Sequence, residues 1–235
     1  MAEQQFDVTL VGGGPGGYIA AIRAAQLGLK VGLVEKEKLG GICLNWGCIP
    51  SKALIKSAEL LHAFKKAGEF GITYDNLKFD FNKIIARSRG IADRISKGVE
   101  YLMKKNKVEV LYGTAKLTGK NSLEVSKDGK VVATIKSKNI VLATGARPRT
   151  IPGVAIDRKK IITSTEAMNL PEQPPSMIII GAGAIGIEFA YFYNALGTKV
   201  TVVEMLPSIL PLEDKEITKL LEGSLKKQGI EILTN

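Results

Sequence analysis

One pattern is written twice in this chain, and it restricts the fold more than any other feature. Gly12-x-Gly14-x-x-Gly17 and Gly181-x-Gly183-x-x-Gly186 stand 169 residues apart, Gly12 to Gly181. Each follows a short apolar run, opens a helical stretch, and leads to a second apolar run that ends in glutamate, Glu35 in one copy and Glu204 in the other. In the first copy the strands are expected over 6–11 and 30–34 around a helix at 18–27. In the second they are expected over 176–180 and 199–203 around a helix at 187–196. Strand, glycine turn, helix and strand make a βαβ unit of about thirty residues. The first glycine permits a tight turn, the second lets a backbone approach a pyrophosphate, and the third lets helix and strand pack closely. The helix N-terminus then offers free N–H groups to phosphate. Both glutamates lie 18 residues beyond the last glycine, placed to accept bonds from an adenosine ribose. Two ordinary βα turns without a ligand are the plainer reading. Agreement of spacing and acid in both copies weighs against it. A carboxylate at Glu204 favours a free 2′-hydroxyl and repels a 2′-phosphate, so NAD is expected there rather than NADP.

The fold class that follows is α/β, with two Rossmann-like nucleotide-binding domains. Helical patterning covers 51–67 and 82–106, and strands are expected at 107–111, 122–125, 131–135 and 139–143. Asp128-Gly129 marks a hairpin turn, so a small antiparallel β-meander is inserted in the first domain. Five prolines between 146 and 175 (Pro148, Pro152, Pro171, Pro174, Pro175) indicate an extended connector. The domains are therefore expected at 1–148 and 176–235, joined by 149–175. A nucleotide-binding half wants βαβαβ. The second copy reaches only Ile230-Glu-Ile-Leu of its third strand, so the second domain is expected to be truncated.

The net charge is +10, and local basic clusters occur at 104–107 and 158–160. No aromatics interleave them as a nucleic-acid stacking platform requires, so a solvated surface is the expectation. No apolar run reaches the roughly 18–20 residues of a membrane span. The start of the chain lacks the pattern of a signal peptide. A cytoplasmic protein with neither nucleic acid nor membrane as partner is expected. The only cysteines are Cys43 and Cys48, and the only histidine is His62. That supply leaves a tetrahedral zinc site short of ligands; no metal is expected.

The two cysteines lie in Gly40-Gly-Ile-Cys43-Leu-Asn-Trp-Gly-Cys48-Ile-Pro-Ser-Lys52. Pro50 suits the first turn of a helix, and a cysteine at a helix start has a stabilised thiolate. Four intervening residues at a helix start can bring the sulfurs within bonding reach. Two buried free thiols are the alternative. Lys52 lies about one helical turn beyond Cys48.

This segment resembles the redox-disulfide motif of the dihydrolipoamide dehydrogenases, FAD-dependent members of the class I pyridine nucleotide-disulfide oxidoreductases. The opening Gly-Gly-Gly-Pro-Gly-Gly-Tyr, Ala143-Thr-Gly-Ala-Arg-Pro148, Gly181-Ala-Gly-Ala-Ile-Gly-Ile-Glu188 and Val203-Glu-Met-Leu-Pro207 are similar to the same family. Trp46 stands where many members carry valine. The resemblance implies a Cys43–Cys48 redox disulfide, with Cys43 as the interchange thiol and Cys48 as the thiolate against the flavin. It implies Lys52 beside the flavin and paired with Glu188 across the domain boundary. FAD is implied at Gly12, Gly14, Pro15, Gly17, Glu35, Lys36, Gly41, Cys43, Cys48, Lys52, a turn at Gly113-Thr114-Ala115, and Thr144, Gly145 and Ala146. NAD is implied at Gly181, Gly183, Ala184, Ile185, Gly186, Glu188 and Glu204.

Family chains are about twice as long, and their catalytic histidine belongs to a further dimerisation domain that His62 does not match. The resemblance thus implies oxidation of dihydrolipoamide with NAD+ by a full-length homodimer. The substrate would be carried on lipoyl domains of 2-oxoacid dehydrogenase or glycine cleavage complexes, and this stretch alone would be inactive. A mercuric or coenzyme-A disulfide reductase is the alternative within enzymes. A non-catalytic nucleotide-binding fragment is the alternative outside them.

Overall fold

A computed structural model describes Glu3 to Asn235. The chain divides into two compact units. One holds the residues up to Ile49 together with Arg89–Ile151, and the other holds Pro50–Ser88 with Pro152–Asn235.

The first unit is built on a six-stranded sheet. Its strands are β1 (Glu3–Val11), β2 (Val31–Glu35), β3 (Glu109–Tyr112), β4 (Thr114–Gly119), β5 (Ser122–Lys127) and β6 (Lys130–Leu142), in the order β3-β2-β1-β6-β5-β4. β3, β2, β1 and β6 run parallel, and β4, β5 and β6 form the expected antiparallel meander. Helix α1 (Pro15–Gln26) joins β1 to β2 and buries only the small residues Gly17 and Ala21. That allows close packing without a large apolar face. Val8, Leu10, Val31 and Leu33 from the strands pack with Ala21, Val99 and Met103 in one cluster. Phe6 and Val34 pack with Leu123, Val125, Ala133 and Ile135 of the meander in another.

Three features depart from the sequence reading. The two strands expected at 131–135 and 139–143 are one, β6. The polar stretch Lys136-Ser-Lys-Asn139 looks like a break, yet its backbone stays in register with β1, with Phe6 opposite Ser137 and Val8 opposite Asn139. The expected turn at Gly113-Thr114-Ala115 is only a bend at Gly113, because Thr114 and Ala115 already pair with Ser126 and Val125 in β4. A short helix, α2 (Gly41–Trp46), precedes α3 (Cys48–Lys65). Gly47 separates them with φ −146° and ψ −118°. Helix α4 (Phe81–Lys105) covers the second expected helical stretch.

The second unit carries a three-stranded parallel sheet in the order β7 (Ser176–Ile180), β8 (Lys199–Glu204), β9 (Glu231–Thr234). Helix α6 (Ala184–Ala195) follows the second glycine turn, and α7 (Lys215–Lys227) is capped by Asp214, whose carboxylate accepts from the N–H groups of Glu216 and Ile217. The proline-rich connector is not wholly extended. Thr163 and Glu166 form a capping box that starts α5 (Ser164–Ala167), and Ala167 and Met168 enter the core of this unit. Strand alternation turns Val200, Val202 and Ile232 into that core and leaves Ile178, Ile180, Val203 and Leu233 exposed. One face of a parallel sheet therefore lies open, although such sheets are ordinarily covered on both.

At the centre of this core Tyr193 is fully buried and contacts Phe81, Phe189 and Phe192. Burial pushes its phenol far above the ordinary range, and the neutral hydroxyl donates to the Ala167 carbonyl at 2.6 Å. Tyr193→Phe keeps the ring but strands that carbonyl. The expected cost is about 1–2 kcal/mol of unfolding free energy, read by denaturant titration of the purified protein; an unchanged midpoint would mean that this bond contributes nothing.

Candidate functional site

The site of the first unit is assembled at the carboxyl ends of its parallel strands, where open α/β sheets place their ligands. Val11, Glu35, Tyr112 and Leu142 end β1, β2, β3 and β6. β1 feeds a helix toward β2 on one side and lies beside β6 on the other, which makes the gap between β1 and β6 a topological switch point.

The three glycines of the first turn have three different reasons to be glycine. Gly12 has φ +108°, and a Cβ on it would fall 2.2 Å from the Ala143 carbonyl oxygen. A Cβ on Gly17 would fall 1.8 Å from the Gly12 carbonyl oxygen. These two are fixed by the protein's own packing. Gly14 is not, because a Cβ there would meet only the Gly41 Cα, at 3.8 Å. Open space at the middle glycine, ahead of a helix whose N1 residue is Pro15, fits a phosphate group drawn close to backbone N–H donors.

Glu35 braces this turn. Its Oε2 accepts from the Gly13 N–H and its Oε1 from the Glu37 N–H, both at 2.7 Å. A carboxylate offers about four acceptor positions, so each oxygen keeps capacity for a ribose hydroxyl. Lys36 follows with an exposed side chain. The Gly113 N–H donates to the Glu35 carbonyl, and the Ala143 N–H to that of Val11. Thr144, Gly145 (φ +70°) and Ala146 continue, exposed, past the end of β6.

The cysteine segment hangs directly on the same turn. The Gly40 N–H donates to the Gly13 carbonyl at 2.8 Å. Gly41 has φ +59°, and a Cβ on it would fall 2.6 Å from the Gly14 Cα. Cys43 and Cys48 form a disulfide with Cα atoms 4.7 Å apart, inside the range that bridges need. Buried Asn45 ties the segment inward by donating to the carbonyls of Leu39 and Gly41, both at 3.0 Å. At Gly47 a Cβ would press on the Ile42 carbonyl oxygen at 3.0 Å and the Cys43 Cα at 3.3 Å.

The second unit repeats the brace bond for bond. The Ala182 N–H donates to Glu204 Oε2 at 2.8 Å and the Leu206 N–H to Oε1 at 3.0 Å. Gly181 has φ +102°, and a Cβ on Gly186 would fall 2.1 Å from the Gly181 carbonyl oxygen. A Cβ on Gly183 would meet nothing within 4 Å. Ala184 and exposed Ile185 begin α6. Farther along that helix Glu188 Oε1 lies 2.5 Å from Lys52 Nζ. Both residues fall in the same compact unit.

Sequence reasoning did not single out Asn45, Gly47, Arg89 or Ser96. Arg89 Nη1 donates to the Asn45 carbonyl at 2.7 Å, and Ser96 Oγ to the Leu39 carbonyl at 2.7 Å. Their spacing of two helical turns on α4 places both on one face, which is the signal that would have found them. Among the described residues no group of three or more His, Cys, Asp or Glu is arranged to hold a metal ion. Among the described residues no helix is long and apolar enough to cross a membrane.

Two nucleotide-type turns and a disulfide attached to the first of them define a class, the disulfide reductases that work with two dinucleotides. Residues 6–235 match the model of the pyridine nucleotide-disulphide oxidoreductases, and the chain belongs to that family, whose members use FAD and a pyridine nucleotide. It is 51% identical over 228 residues to a dihydrolipoyl dehydrogenase of Chlorobaculum tepidum, covering 97% of this chain and 49% of that protein. Against the dihydrolipoyl dehydrogenase of Bacillus subtilis it is 45% identical, covering 98% and 50%. The HOCl-induced flavoprotein disulfide reductase RclA from Escherichia coli superposes with a TM-score of 0.83 at 29% identity, over 97% of this chain and 49% of that one. The chain thus spans about half the length of these relatives.

With Cys43 and Cys48 bridged, unfolded protein should show no reactive thiol before reduction and two after it. A thiol count that is the same before and after a dithiol reductant removes the disulfide from the site.

Proposed function

We propose that the protein carrying this chain oxidises dihydrolipoamide with NAD+ through the Cys43–Cys48 disulfide. The observation that carries the reading is the attachment of that disulfide to the first glycine turn, by the Gly40 to Gly13 bond and the Gly41–Gly14 approach. The names of the relatives that are 45–51% identical support the substrate.

In this reading residues 1–148 hold FAD, 149–175 connect, and 176–235 begin the NAD domain. The first turn and Glu35 receive the adenosine diphosphate part of FAD, with Lys36, Gly113 to Ala115 and Thr144 to Ala146 beside it. Gly181 to Gly186 and Glu204 receive that of NAD. A thiolate of the dithiol substrate attacks Cys43 Sγ, and a mixed disulfide forms as Cys48 leaves as a thiolate. Cys48 is the first residue of α3, where the helix N-terminus stabilises that charge. The second substrate thiolate then attacks the substrate sulfur of the mixed disulfide, which closes lipoamide and frees Cys43. FAD, when bound, supplies the two-electron relay from the dithiol pair to NAD+. Lys52 and Glu188 serve as a charged pair at the flavin. Lipoyl domains of 2-oxoacid dehydrogenase or glycine cleavage complexes are the proposed partners, and the cytoplasm the location. A homodimer is proposed for the full-length protein, and the exposed apolar residues Leu60, Phe64, Phe70, Ile72 and Tyr74 support an interface.

The test is a comparison of NADH-linked turnover of lipoamide, mercuric ion, glutathione disulfide and coenzyme-A disulfide by the flavin-loaded full-length protein. Lipoamide is expected to be turned over fastest, and preference for another acceptor overturns the substrate assignment. In the same protein Glu204→Arg should move the NAD to NADP preference by roughly tenfold or more, the scale of one charge-assisted hydrogen bond. An unaltered ratio of kcat/KM for the two nucleotides would remove Glu204 from the ribose site.

A further inference from the structure

We propose that Arg89 is a positioning residue for the redox turn, holding the segment between the two cysteines so that their sulfurs stay within reach of each other once the disulfide has opened. The inference rests on reading Cys43–Cys48 as an exchanging pair.

Reduction removes the only covalent cross-link between Cys43 and Cys48, and the approach of the two sulfurs is then left to weaker contacts. Helix α2 has six residues, too few to be stable by itself. Gly47, between its end and Cys48, adds backbone freedom. The bonds from the Asn45 side chain anchor the turn to Leu39 and Gly41, both before Cys43.

Arg89 is the residue that grips the turn from outside. Nη1 donates to the Asn45 carbonyl at 2.7 Å, and the guanidinium carbon lies 5.0 Å from the centroid of the Trp46 ring. That is a cation–π distance. Both contacts fall on the two residues midway between Cys43 and Cys48. The remaining donors are sacrificed to this placement, since Nε and Nη2 are buried with no hydrogen-bond partner among the described residues. Burial pulls the Arg89 pKa down, though a guanidinium remains charged. Leaving buried donors unpaired is costly. An arginine kept only to fill space on α4 would be better replaced by an apolar side chain of similar length. The planar guanidinium meets a carbonyl and a ring face at once, which an ammonium cannot do equally well.

The consequence is thermodynamic. In exchange with dithiothreitol, two hydrogens and two electrons pass from the reagent's thiols to Cys43 and Cys48, and the reagent closes its own disulfide. The position of that equilibrium reports how concentrated each cysteine thiol is at the other. A turn held ready favours the protein disulfide, and a loosened turn favours the dithiol.

The flavin-loaded full-length protein is equilibrated with dithiothreitol buffers, acid-quenched and alkylated, and the dithiol fraction is counted by peptide mass. Arg89→Met should shift the equilibrium toward the dithiol by roughly tenfold, the scale of one hydrogen bond to a charged group. Arg89→Lys, which keeps the charge but not the planar fork, and Trp46→Leu should fall between it and the unmodified protein. These two carry the test if Arg89→Met does not fold. A lowered melting temperature with an unmoved equilibrium would overturn the proposal and leave Arg89 a packing residue. A shift toward the disulfide would also overturn it, and would point to direct stabilisation of a thiolate. Failure of the unmodified protein to exchange at all would sink the redox reading itself, a result distinguishable from both.

Discussion

Gly17 sits so near Gly12 that a Cβ would lie 1.8 Å from its carbonyl oxygen, and Gly12 is equally closed in by Ala143. This three-way approach of backbone fixes the angle at which α1 leaves β1, and it fixes β1 against the end of β6. Everything at the site of the first unit is referred to it. The Gly13 carbonyl, one residue into the turn, takes the Gly40 N–H, and Gly14 meets Gly41 without a side chain on either. The cysteine segment is thereby hung on the first glycine turn by backbone contacts.

The acid at the end of the second strand has a structural task besides the binding one proposed for it. Glu35 and Glu204 each accept two backbone N–H groups, one from the glycine turn and one from two residues downstream. A carboxylate suits both tasks because it is acceptor-only and has lone pairs to spare. The arrangement recurs at a constant offset of 169 residues, through Gly13 and Ala182, Glu35 and Glu204, and Glu37 and Leu206. Duplication therefore extends below the motif to the individual hydrogen bonds. It also explains why an arginine or a neutral residue at either position would disturb the turn along with any ribose.

Both glycine turns, both acids and the cysteine pair were legible in the sequence because each is a local signal with a steric or chemical cause. What was not legible depends on residues far apart in the chain. β6 reads as two strands since Lys136, Ser137 and Lys138 interrupt the apolar run, and pairing with β1 keeps them extended. The turn that the family resemblance implies at Gly113 to Ala115 gives way to strand at Thr114 and Ala115, because β5 supplies a partner. Helix α5 lies in a proline-rich stretch whose composition suggests extension, yet Thr163 and Glu166 cap it in the pattern of a capping box. Arg89 shares one face of α4 with Ser96, but nothing local says what that face grips. Its meaning comes from Asn45 and Trp46, more than forty residues away.

Charge is placed in two different ways around the cysteine segment and in the second unit. Lys52 and Glu188 form a pair whose side chains are 60% and 29% exposed. Solvent screening leaves such a pair about 0–1 kcal/mol of folding stability. The second unit is held instead by Tyr193 and the aromatic and aliphatic residues around it. Arg89 is the reverse case, with two donor nitrogens buried and unpaired among the described residues and the third spent on one short turn. Exposed charge can be recruited at little cost to the fold, whereas buried charge must already be arranged before chemistry begins. In the proposed exchange the turn has to survive the loss of its own disulfide bond, and Arg89 is already in place on it.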